Sequence, residues 1–231
     1  MKKPLFILMA LAFSTAVCAQ DETPFGKEDL LAAFKQYNPA ALEKAAQNEN
    51  YRAILDKLTA AYSAPRTEEN EIETIALVLN FDNSIRLEAL RQSYVQARTF
   101  EAVTGTDLQS LESATYENLL PIVKDIFAQT VEVKNIQIKR YKEQIKSTKK
   151  DTTLSVQEKE QRIADLKKRL SIVKSELRAL KKNSKTVMAD AAQSYLADIH
   201  GEYEAATAHA QKAAQSSTRD IKANNKKPVA K

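Results

Sequence analysis

Between residues 122 and 227 the chain carries no proline. Within that stretch Val156, Ile163, Leu166, Leu170, Val173, Leu177, Leu180 and Val187 follow one another at steps of 7, 3, 4, 3, 4, 3 and 7. Such steps gather apolar side chains into one stripe of a helix and leave the rest of its circumference polar. A stripe of this kind needs a partner helix to cover it. The preceding segment offers one, because Leu120, Phe127, Val131, Ile138, Tyr141 and Ile145 step 7, 4, 7, 3 and 4. Between the two lies KSTKKDTTLS, residues 146–155, whose threonines and serines oppose helix, and Ser155 with Glu158 has the form of a capping box. The spacing predicts an antiparallel coiled-coil hairpin over 126–187, with its tip near 147–154 and arms of about 45 Å at 1.5 Å per residue. One helix running straight through 146–155 is the competing reading.

Only three glycines, six prolines and no tryptophan occur in 231 residues, which disfavours turn-rich β architecture. The expected class is all-α, a helical bundle body carrying the long hairpin. Short helices are expected at 27–36, 39–47 and 50–63, with Asn38 as N-cap, Pro39 in the first helical position and Pro65 as terminator. Thr67 then caps a segment to about 103 with an acidic first turn of Glu68, Glu69, Glu71 and Glu73, and FDNS at 81–84 can interrupt it. Gly105 suits a helix C-terminus, and Thr106 with Gln109 suggests the next capping box. The following helix is expected over 107–146, with Pro121 as a kink or as a second helix start behind Asn118. Past Val187 the apolar positions shift to Met188, Ala191, Tyr195, Ile199 and Tyr203, returning the chain to the body. The expected domains are thus a flexible leader at 20–26, an acidic body at 27–125 completed by 188–215, the basic hairpin, and a disordered basic tail at 216–231.

Residues 1–19, MKKPLFILMALAFSTAVCA, read as a secretory signal peptide: a basic start, a short apolar run and small residues before the cut. Export to the periplasm or cell envelope follows, and removal of this segment takes away Cys18, the chain's one cysteine. Retention of Cys18 as a lipidated first residue is the alternative. No later apolar stretch reaches the roughly 20 residues that span a bilayer.

Charge is divided along the chain. Residues 20–130 hold 10 Lys and Arg against 18 Asp and Glu, whereas residues 131–231 hold 23 against 12. The basic surplus can be a solvated face, can meet the acidic helices within or between copies, or can bind an anionic partner. The partner residues selected from the tip and arms are Lys146, Lys149, Lys150, Lys167, Lys168, Arg169, Lys181 and Lys182. Chemistry-bearing motifs are few: the glycines Gly26, Gly105 and Gly201 are isolated, so no phosphate loop is present, and no Ser/His/Asp order is arguable. His200 and Glu204 form an i, i+4 pair, two ligands short of a structural metal site. Nucleic acid is disfavoured because no aromatic side chains interleave with the lysines. The sequence therefore points to a non-catalytic binding or scaffold protein without cofactor or metal, presenting a basic hairpin to an anionic or extended partner. A self-assembling structural subunit and a periplasmic holdase-type chaperone are the competing functions.

Overall fold

The computed structural model describes residues 21–224, with side chains over 24–208. Residues 1–19, expected as a signal peptide and including Cys18, and residues 225–231 of the expected tail lie outside the described residues. Among those described, eight helices and one two-stranded ribbon make up the fold, which is all-α in class.

The ribbon corrects the expected flexible leader. Strand β1 (Asp21–Phe25) pairs antiparallel with β2 (Ala64–Arg66), Phe25 opposite Ala64. Arg66 holds the pair together: its guanidinium lies 4.6 Å from the Phe25 ring centroid and bonds both oxygens of Asp29 at 2.8 Å. Asp29 also accepts from the Gly26 N–H, and that bond, followed by the Arg66 guanidinium, holds its carboxyl below the usual carboxylate range.

Helices α1 (Lys27–Tyr37), α2 (Pro39–Gln47) and α3 (Glu49–Ala61) form at the expected positions, because their start signals are local. Asn38 accepts from the Ala41 N–H and opens α2 at Pro39, while Asn48 caps α3. Helix α4 (Glu68–Leu79) starts behind Thr67, and α5 (Phe81–Thr104) follows a break at Asn80. Leu30, Phe34, Ala41, Ala45 and Leu55 close around Val78 and Phe81, with Phe34 edge-on to Phe81 at 5.1 Å. Beside this core Asn38 donates to the Val78 carbonyl and to Asp82, which also accepts from Lys44 and Tyr51. Burial alone would raise the Asp82 carboxyl, but the hydrogen bonds from Lys44, Tyr51 and Asn38 outweigh it and hold the group low.

Gly105 ends α5 at φ 69°, the left-handed region that a side chain disfavours. The next helix does not start at the Thr106/Gln109 pattern: α6 (Leu111–Lys150) begins behind Ser110, because residues 105–110 are spent in turns. Pro121 sits inside α6 without ending it. At the far end α6 continues four residues past the expected Lys146, so the non-helical connection shrinks to 151–155. Helix α7 (Val156–Lys182) opens on the Ser155/Glu158 capping box and ends at Asn183, and α8 (Ser184–Asn224) returns along α5. The backbone of α8 runs past 215, so the start of the expected disordered tail is helix. A second core unites Leu87 of α5, Leu119, Ile122, Val123 and Ile126 of α6 and Ala192 of α8.

The inner face of α6 also departs from expectation. Leu120, Phe127, Val131, Ile138 and Ile145 are half-buried, while Thr115, Leu119, Ile122, Val123, Ile126, Val133, Lys134, Gln137, Tyr141 and Thr148 are the positions buried. The cause is a third neighbour. Ile72, Ile75 and Ala76 of α4 pack on Val133, turning the covered stripe of α6 toward the point between α4 and α7. The basic segment 126–187 is therefore held along the body over part of its length.

Candidate functional site

Helix α7 has an inner and an outer side that differ in chemistry. At 100° per residue Leu166, Leu170, Val173, Leu177 and Leu180 share the inner side. Val173 is buried and the others are half-buried, so α6 covers only part of this stripe. Lys167, Lys168, Lys174, Arg178, Lys181 and Lys182 fall on the outer side, within an arc of about 140°. All are exposed except Lys174, which is half-exposed, and none makes an ion pair among the described residues.

What clears the outer side of carboxylates is the placement of one residue. Between Leu166 and Ala189 eight cations stand against a single acid, Glu176. Glu176 turns away from the lysines and accepts from the Lys134 Nζ at 2.8 Å, a lysine whose side chain is 4 % exposed. Neighbouring Gln137 is buried as well, and its Oε1 makes no hydrogen bond. Lys134 and Gln137 were not among the residues selected from sequence. A signal for them exists: Lys134, Gln137, Tyr141 and Thr148 step 3, 4 and 7, a stripe passed over because three of its members are polar.

Arg140 and Arg169 take the opposite role, joining arm to body. Arg169 donates to Glu68 at 2.7 Å and Arg140 to Glu71 at 2.8 Å, so the acidic first turn of α4 is met by the basic arms. Tyr141 lies at the same junction, and burial followed by its hydrogen bond to Glu68 pushes its phenol well above the ordinary range. The eight selected residues thus separate. Lys167, Lys168, Lys181 and Lys182 share one face; Arg169 is committed to Glu68; Lys146, Lys149 and Lys150 lie exposed at the end of α6. Near the latter three, Asp151 and Glu158 are fixed in their own turns, Asp151 by Thr153 and Glu158 by Ser155. The tip therefore mixes both signs of charge.

His200 is tied into a network between α5, α6 and α8. Its Nδ1 lies 2.8 Å from the Tyr94 hydroxyl, which also accepts from the Arg98 Nε at 3.1 Å. The Tyr94 hydroxyl thus bridges Arg98 and His200, whose Nε2 lies 3.2 Å from Glu204. Arg98 completes the network by pairing with Glu101 and Glu112. Among the described residues no group of three or more His, Cys, Asp and Glu gathers as a metal site, and no helix is long and apolar enough to cross a membrane. No family model, curated protein or solved structure matches this chain.

Proposed function

We propose that this chain is a non-catalytic binding or scaffold protein of the cell envelope, and that the outer face of α7 is the surface through which it engages an anionic partner. The observation that carries this reading is the row of six cations without an ion pair, within which the one acid, Glu176, is withdrawn onto Lys134. Opposite charges elsewhere on the arms meet within the chain, as Arg140 with Glu71 and Arg169 with Glu68 do. A solvated face serving only solubility has no need of one sign of charge; mixed charges do that work equally well. The placement in the envelope rests on the signal-like residues 1–19.

The reading is tested by reversing charge at Lys167, Lys168, Lys181 and Lys182 to Glu and measuring retention on a negatively charged resin at moderate salt. The unmodified chain is expected to elute later than the variant, and co-elution defeats the proposal. Assembly through opposite charges is the competing outcome. Sedimentation at two salt concentrations reads it directly, as a monomer at both leaves no role for it.

A further inference from the structure

The basic face of α7 has a shape and a composition as well as a sign. Resting on the reading above, we infer that its ligand is a linear polyanion with closely spaced charges, bound along the helix and recognised by charge alone. From Lys167 to Lys182 the six cations extend over about 22 Å of axis at 1.5 Å per residue. Five of the six are lysines. Where this molecule grips a carboxylate held in fixed geometry on a neighbouring helix it mostly uses arginine, as Arg140, Arg169 and Arg98 show. Guanidinium forks fit planar, stationary acceptors, whereas lysines are mobile point charges that follow a flexible chain of anions.

Two other partner classes fit less well. A helix that binds a lipid surface places its apolar side in the bilayer interface, and the apolar side of α7 is turned toward α6. Between Lys167 and Lys182, the large apolar side chain on offer is Ile172 near the edge of the arc, 41 % exposed. A folded acidic protein would need a central apolar anchor for a stable interface. Between the cations stand Ser171 and Ser175, both exposed. The absence of aromatic side chains among the lysines removes base stacking, so the polymer's charges and not its side groups are read.

Fluorescence anisotropy with labelled inorganic polyphosphate and labelled poly-L-glutamate, each titrated with the full chain over a range of salt, tests the inference. Six contacts to a flexible chain give a slope of log affinity against log salt near about −4. Neutralising Lys167, Lys168, Lys181 and Lys182 to Gln is expected to reduce it to about −1.5. Lys146→Gln, Lys149→Gln and Lys150→Gln, at the far end of α6, leave the slope unchanged. Binding of both polymers shows that charge alone suffices, and binding of only one of them overturns recognition by charge alone. The inference is overturned if the unmodified chain shows a slope shallower than about −1, if the tip variant loses as much as the α7 variant, or if phosphatidylglycerol vesicles bind while neither polymer does. The last outcome leaves the general anionic reading standing, whereas co-elution of the charge-reversed chain on the resin removes both. The substituted lysines are exposed, and unchanged helicity by circular dichroism verifies that a lost slope is a lost contact.

Discussion

The N-terminal unit and α7 are both amphipathic helix, yet they are held by different means. In α1 the side chains of Leu30 and Phe34 are fully covered, and α2 to α5 all contribute to the surrounding core. In α7, 27 residues long, Val173 alone is buried, and side-chain links come from Lys134–Glu176 and Arg169–Glu68. The first region is stabilised by apolar area removed from water; the second combines a half-covered stripe with charge pairs. A helix held in the second way can devote most of its circumference to solvent and hence to a ligand. The cost is low local stability.

The sharpest way to break this comparison is truncation in each region. Phe34→Ala should cost about 3–5 kcal/mol, whereas Leu177→Ala, starting half-exposed, should cost about 1–2 kcal/mol. Equal losses in urea unfolding would show that α7 is packed as tightly as the N-terminal core. Next in size, Glu176→Ala should cost about 1–3 kcal/mol by weakening the support of a buried ammonium, and Lys134→Met with Glu176→Leu should recover most of it. A double variant as unstable as the single one would show that Glu176 acts through packing and not charge.

Acid separates the regions by another route. Asp82 is held below its ordinary value of 3.8 by Lys44, Tyr51 and Asn38, so its stabilisation is complete above a pH of about 4 and is lost as pH falls through the lowered folded value. Asp82→Asn should cost about 1–3 kcal/mol at neutral pH and flatten the acid limb of the stability profile. An unchanged limb would assign acid sensitivity elsewhere. Gly105→Ala lies outside both regions and meets open space, so its cost of about 1 kcal/mol comes from backbone strain alone and calibrates the series. Smallest of all, Lys167→Ala should shift stability by less than about 0.5 kcal/mol, because the side chain is exposed and makes no ion pair. A larger loss would mean that the basic face is structural.

What could be read from sequence follows the range of the interactions concerned. Asn38, Pro39, Thr67, Gly105, Ser155 and Glu158 marked helix ends correctly because a cap acts within four residues of chain. The strand at Asp21–Phe25 was missed because its partner lies some forty residues on, and Pro24 with Gly26 reads locally as loose chain. The stripe of α6 was misplaced for the same reason: periodicity identifies an apolar side, but α4 decided which side is covered, and Lys134 and Gln137 share that side. Of the candidate site, the sign and place of the charge were legible. The separation of Arg169 from Lys167 and Lys168 was not, since three adjacent cations in sequence diverge by 100° at each step around the helix.

The Lys134–Glu176 pair also limits how α6 and α7 can be aligned. Sliding α7 by seven residues would keep leucines facing α6 almost everywhere, and apolar packing alone would discriminate weakly between such alignments. The buried ammonium would then meet Arg169 in one direction or Asn183 in the other, and neither supplies a carboxylate. One acid, alone among the cations between Leu166 and Ala189, thus selects a single alignment out of several that oil and shape would accept.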